Sequence, residues 1–244
     1  MVRRCVGQSS ARGWVMENLD AKSLQAVMSK VKYLLLDFDG PICDIFAGLP
    51  APEVAARLRV ALEESGAELP GEVHDMDDPL EVFKFSASIG DRLNVLALEI
   101  LAELEVKASE TARLTPGASD LMRNARRNGM SIAIVSNNSV AAVTAFLERE
   151  DLNGQVSYIS ARSAADPSLM KPNPHLLDQA LSYLGADPSS AMLVGDSVTD
   201  MEVATLSGVV AVGFANRPEK VKRLADAGAD HIVTDMRELA ASLA

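Results

Sequence analysis

Asp37 and Asp39 stand two residues apart at the end of Tyr33-Leu34-Leu35-Leu36, a short unbroken apolar run, and Gly40 follows them. In extended backbone, residues two apart project to the same side, so both carboxylates leave the strand together. Two like charges taken out of water side by side cost on the order of several kcal/mol unless a proton or a cation compensates them. Oxygen ligands of this kind suit a hard divalent cation. Gly40 then lets the chain turn sharply away. An Asp-x-Asp pair is also an ordinary polar turn, so the case for chemistry rests on what else reaches the same place.

Three further stretches qualify. Ser136-Asn137-Asn138 follows the apolar run Ser131–Val135, and Gly195-Asp196-Ser197-Val198-Thr199-Asp200 follows Ala191–Val194. Lys171 stands in Lys171-Pro172-Asn173-Pro174, where the proline after it keeps it out of helical geometry. Each has a plain structural explanation. Ser136 reads as a helix cap, though a helix N-terminus is also a ready phosphate site. Ser197 and Asp200 have the spacing of a capping box, the role assigned to Asp200. Lys171 alone reads as a solvated surface lysine. Taken together, three carboxylates, a hydroxyl beside a helix start and one lysine fall at the exits of strands.

The elements that position them form an α/β pattern. Strands are expected at Tyr33–Leu36, Ser131–Val135, Val156–Ile159, Ala191–Val194, Val209–Val212 and His231–Val233. Helices alternate with them at Pro116–Asn128, Ser139–Glu150, Asn173–Gly185, Ser197–Leu206, Pro218–Ala227 and Met236–Leu243. Strictly alternating elements imply right-handed crossovers and a doubly wound parallel sheet. Such sheets bind ligands outside the carboxyl ends of their strands. Between Gly40 and Thr115 the pattern changes to helices alone, at Ala51–Ala67, Leu80–Ile89 and Asp91–Val106. The chain is therefore expected to comprise a tail and helix over 1–30, a core over 31–44 and 113–244, and an inserted all-helical cap domain over 45–112.

Composition narrows the partners. A net charge of −11, with no dense basic stripe, argues against a nucleic-acid backbone as ligand. No apolar run approaches the length of a membrane span. Cys5 and Cys43 form no ligand or disulfide framework, which suits a reducing, cytoplasmic setting. His74 beside Asp75, Asp77 and Asp78 reads as a solvated acidic loop. Lys84 and Arg92 read as surface cations, and Phe83 and Phe85 as core.

In order and spacing the chain resembles the haloacid-dehalogenase-like (HAD) superfamily of phosphohydrolases. Asp37-Phe38-Asp39-Gly40 matches its first motif, Ser136 its second, Lys171 with Pro172 and Pro174 its third, and Gly195-Asp196-Ser197-x-x-Asp200 its fourth. The helical insertion resembles the C1-type cap of phosphoglycolate-phosphatase-like members. The resemblance implies a Rossmann-like core and a Mg²⁺-dependent phosphomonoesterase acting on a small phosphorylated metabolite, as a monomer or homodimer. It implies that Asp37 attacks phosphorus and Asp39 acts as acid and base. It places Mg²⁺ on Asp37, the Asp39 carbonyl and Asp196, and the phosphoryl group on Ser136 and Lys171, with Gly40 and Asn137 beside them. Pro41 departs from the family pattern, which carries threonine there. A phosphomutase on the same core and a non-catalytic binding module are the rivals. A dehalogenase is disfavoured because Asp39 is present.

Overall fold

The structure, a computed structural model, describes residues 21–244. The expected tail over residues 1–17 and Cys5 lie outside the described residues. Six strands form one sheet: β1 (Tyr33–Leu36), β4 (Ser131–Ser139), β5 (Tyr158–Arg162), β6 (Ala191–Gly195), β7 (Val210–Phe214) and β8 (His231–Val233). Their spatial order is β5-β4-β1-β6-β7-β8 and all neighbours are parallel. Strand order reverses across β1 and β6, so the crevice where such sheets take ligands opens between these two strands.

Alternation along the strands explains the layers. Leu34, Leu36, Ile132, Ile134, Met192 and Val194 face one side and join one core. Leu35, Ala133, Val135, Leu193 and Ala211 face the other and join a second core. The first is covered by α1 (Ala21–Met28), α6 (Ala118–Arg127), α7 (Val140–Arg149) and α11 (Met236–Ser242). The second is covered by α8 (His175–Leu184), α9 (Val198–Leu206) and α10 (Pro218–Asp226). Strands buried on both faces must be apolar throughout, which is what the unbroken runs in the sequence record.

The insertion is helical: α2 (Ala51–Glu64), α3 (Gly71–His74), α4 (Pro79–Ser86) and α5 (Asp91–Ser109). Two two-residue strands, β2 (Cys43–Asp44) and β3 (Arg113–Leu114), pair antiparallel where the chain enters and leaves it. They are too short to read from periodicity. Val54, Leu58, Leu62, Phe83 and Leu101 of these helices lie in the same buried cluster as the first core. Arg149 of α7 donates to the carbonyls of Ser109 and, at 2.6 Å, Ala112, which ties the end of α5 to the sheet's helical layer. Phe83 is fully buried, as expected, while Lys84 and Arg92 are exposed. In the acidic loop His74 lies 3.5 Å from Glu63, and Asp78 caps α4 by accepting from the Leu80 N–H at 2.8 Å.

Three boundaries differ from the sequence reading in ways that matter. β4 runs past Val135 through Ser139, with a register irregularity between Ser136 and Ser139. The cap of α7 is therefore Ser139, whose Oγ accepts from the Ala142 N–H, and Ser136 is no cap. Its neighbour β5 starts at Tyr158, opposite Ala133, and ends at Arg162, which pairs with Ser139. Asn173 accepts from the His175 N–H at 2.9 Å, and α8 begins at His175, one residue after Pro174.

Phe146 of α7 packs edge-on against Phe38, with ring centroids 5.4 Å apart, beneath the two aspartates. Truncation there leaves a cavity under the site, so Phe146→Ala is expected to cost about 3–5 kcal/mol in urea unfolding. Leu206→Ala, at a side chain 71% exposed, is expected to stay within about 0.5 kcal/mol.

Candidate active site

β1 delivers Asp37 to the sheet edge, where its N–H continues the ladder by donating to the Val194 carbonyl at 2.9 Å. The Phe38 N–H donates to Asp37 Oδ1 at 2.7 Å, and Lys171 Nζ lies 2.9 Å from the same oxygen. Asp39 takes a different direction. Its Oδ1 accepts from the Ile45 N–H at 3.1 Å, at the start of the inserted segment. Gly40 has φ +100°, and a Cβ there would overlap the Asp196 carboxylate. Its N–H donates to the Cys43 carbonyl at 2.7 Å, so Gly40 contributes room at the site and no free donor for phosphate.

β6 delivers Asp196 and, across one turn of α9, Asp200. The capping box is present: Ser197 Oγ accepts from the Asp200 N–H at 3.2 Å, and Asp200 Oδ2 accepts from the Ser197 N–H at 3.1 Å. Asp200 has a second role that the sequence reading did not assign. Its other oxygen, Oδ1, accepts from Lys171 Nζ at 2.5 Å, and the residue is fully buried. A Cβ on Gly195 would fall on the Asp200 side chain, so only glycine lets Asp200 fold back over the strand end.

Lys171 is nearly fully buried and donates to Asp200 and to the Val135 carbonyl, at 2.9 Å. Burial lowers its pKa, but the charges of Asp200 and Asp37 outweigh that and raise it, so the ammonium is fixed. Asn137 orients the lysine's backbone: its Oδ1 accepts from the Lys171 N–H at 2.8 Å and its Nδ2 donates to the Lys171 carbonyl at 3.3 Å. Ser136, fully buried, accepts from the Asn138 N–H at 3.2 Å.

Among the described residues, Asp37, Asp196 and Asp200 place carboxylate oxygens within 4.8 Å of one another. Asp39 is outside that cluster. Lys220, from the first turn of α10, pairs with Asp196 Oδ2; nothing in its sequence surroundings marks it as a site residue. Four carboxylates thus meet two ammoniums. The imbalance is legible in the acids. Burial and the charge of Asp200 raise the Asp37 pKa well above the ordinary value, against Lys171. Burial likewise raises Asp196, against Lys220. Burial raises Asp39 to about 7, opposed by its bond from Ile45. Hard oxygen donors, close spacing and three clustered carboxylates in excess of two ammoniums fit a divalent cation.

The profile of the haloacid dehalogenase-like hydrolases matches residues 31–208. A phosphoglycolate phosphatase of Synechococcus elongatus is 34% identical over 118 residues, 47% of this chain and 53% of that protein. The chain therefore matches only about half the length of that relative. A phosphoglycolate phosphatase of Pseudomonas fluorescens is 23% identical over 214 residues, 85% of this chain and 78% of that protein. The fold is shared with CbbY from Rhodobacter sphaeroides, solved in complex with phosphate. That likeness has TM-score 0.60 and 21% identity, covering 87% of this chain and 99% of that one. With its four motifs gathered at the β1/β6 crevice and the profile spanning most of its length, the chain belongs to the haloacid dehalogenase-like hydrolases.

Proposed function

We propose that this chain is a divalent-metal-dependent phosphomonoesterase that hydrolyses a small phosphorylated metabolite through a phosphoaspartate on Asp37. The observation that carries this reading is the unlike setting of two neighbouring carboxyls. Asp37 lies inside the acid cluster, against the Lys171 ammonium at 2.9 Å. Asp39 lies outside it, its carboxyl turned to the Ile45 N–H at the start of the inserted segment. Burial raises both pKa values, so it is position that divides the labour: Asp37 faces the ammonium and the place for a cation, and Asp39 stands free to carry a proton. Relatives named phosphoglycolate phosphatase support a phosphate ester as substrate.

In this reading Lys171, Ser136 and Asn137 receive the phosphoryl oxygens, and Gly40 leaves space beside Asp196. A carboxylate oxygen of Asp37 attacks phosphorus while the bond from phosphorus to the ester oxygen breaks. Asp39 gives its proton to that departing oxygen. Asp39, now ionised, takes a proton from water. The water oxygen attacks the phosphorus of the phosphoaspartate, inorganic phosphate leaves and Asp37 is restored. Mg²⁺ held by Asp37, Asp196 and the main-chain carbonyl of Asp39 would offset charge on the phosphoryl oxygens as the transition state forms. Residues 45–112 act as the lid that excludes water and selects the substrate. A phosphomutase would share the first half-reaction and return the phosphoryl group; release of inorganic phosphate decides between them.

Three outcomes test this. Exhaustive chelation is expected to abolish hydrolysis of p-nitrophenyl phosphate and added Mg²⁺ to restore it; full activity after chelation counts against the metal. Asp37→Asn is expected to form neither phosphoenzyme nor product. Asp39→Asn is expected to slow turnover about 10²–10⁴-fold, yet to accumulate phosphoenzyme from an activated ester in rapid-quench trapping. The reverse pattern would exchange the two roles.

A further outcome is thermodynamic. Asp39 binds its proton more tightly folded than unfolded, so the metal-free protein loses stability as pH rises from about 4 to about 7. Asparagine keeps the oxygen that accepts from Ile45 and removes the charge. In EDTA, Asp39→Asn is expected to be more stable than the wild type at pH 8, by on the order of 1–2 kcal/mol after screening of the partly exposed carboxyl. At pH 4 the two should coincide. Equal denaturation midpoints at both pH values would show that Asp39 is ionised at neutral pH.

A further inference from the structure

Arg162 ends β5 and is 4% exposed. Its Nη2 donates to Glu105 Oε2 at 2.6 Å, its Nε donates to the Asn137 carbonyl at 2.9 Å, and its guanidinium carbon lies 5.0 Å from the centre of the Phe83 ring. Its Nη1 is buried with no hydrogen-bond partner. Glu105, fully buried on α5, also accepts from the Ser139 N–H at 2.8 Å and from Asn138 Nδ2 at 3.3 Å. One carboxylate from the inserted helices thus holds three successive groups of the irregular end of β4: Asn137 through Arg162, Asn138 and Ser139 directly. Asn137 in turn brackets the Lys171 backbone with both ends of its amide. The same helix reaches this region a second time, where Asn94 Nδ2 donates to the Ala165 carbonyl in the loop that leads to Lys171.

A buried ion pair with one unsatisfied donor is a poor way to stabilise a fold, since apolar side chains of similar volume usually do as well or better. What the pair supplies is direction: two charge-assisted bonds of fixed geometry at the guanidinium fork. We propose that Glu105 and Arg162 are positioning residues that set the place of Asn137, and through it of Lys171, from the inserted helices. This rests on the reading of Lys171 and Asn137 as phosphoryl-binding residues. The seating of α4 and α5 against the core then governs whether the phosphate site is in register. A displacement of about 1 Å at such a site is enough to cost on the order of 10²-fold in rate.

Arg162→Lys tests this, because lysine keeps the charge opposite Glu105 and loses the fork that also holds the Asn137 carbonyl. With Mg²⁺ present, inorganic phosphate binding is read by calorimetry and p-nitrophenyl phosphate turnover by KM and kcat. The expected result is a folded protein with phosphate affinity and kcat each lowered at least tenfold. Wild-type values in a folded Arg162→Lys protein would overturn the proposal. If that variant does not fold, the double variant Glu105→Leu with Arg162→Met decides. Restored folding with phosphate affinity still lowered at least tenfold supports positioning, and wild-type affinity or a second failure to fold means the pair serves the fold alone. Failure of the wild type itself to bind phosphate would instead overturn the reading of the site, and this inference with it.

Discussion

One buried ammonium organises the crevice. Lys171 Nζ lies between Asp37 on β1 and Asp200 on α9, the two sides of the point where strand order reverses. Without it, the carboxylates that β1 and β6 bring together would repel one another in a low dielectric, where an unpaired charge is strongly destabilising. The lysine is placed from far away in sequence, on the loop between β5 and α8. Pairing of the strands and balance of the site are therefore linked: Lys171 meets both Asp37 and Asp200 only when β1 and β6 lie side by side. The carboxylates of the acid cluster still outnumber the ammoniums, an excess that a bound cation would offset.

Much of this was legible in the chain. Unbroken apolar runs marked the doubly buried strands because parallel sheets covered on both faces tolerate nothing else. Ser197 and Asp200 were legible as a capping box because that device is local, spanning three residues. The same locality hid the second role of Asp200. Its bond to Lys171 crosses 29 residues, and no spacing rule reaches so far. Lys220 and the Glu105–Arg162 pair were missed for the same reason: each is an ordinary charged residue until the fold supplies its partner. Glu105 was the least visible, since it is the one buried charge of a helix whose other buried positions are Asn94, Ala97, Leu101, Ala108 and Ser109. The extension of β4 through Ser139 escaped because Ser136-Asn137-Asn138-Ser139 has the composition of a turn. It is drawn out by bonds to Glu105 and Arg162 that lie 33 residues before it and 25 after.

The inserted helices share a continuous apolar core with the sheet, although the pattern of the sequence sets them apart. Their far ends and their root have different duties. The root of α5 is fastened by Arg149 and by the Glu105–Arg162 pair, whereas α2 and α4 pack against α5 and against one another. The base of the insertion and the helical layer of the core are thus joined through one helix.

The central position of β1 also bears on how the protein is made. Tyr33–Leu36 pairs with Ser131–Ile134 on one side and with Ala191–Val194 on the other. About 160 residues must be synthesised between the first strand and its second partner, roughly 8–30 s at ordinary ribosomal rates. β4 becomes available first, about 95 residues after β1, and until β6 follows the other edge of β1 stays unpaired. Charges that flank an apolar strand oppose its pairing with copies of itself, and Asp37 and Asp39 stand directly behind this one. The two carboxyls that the proposed mechanism uses thus also have the placement of such flanking charges.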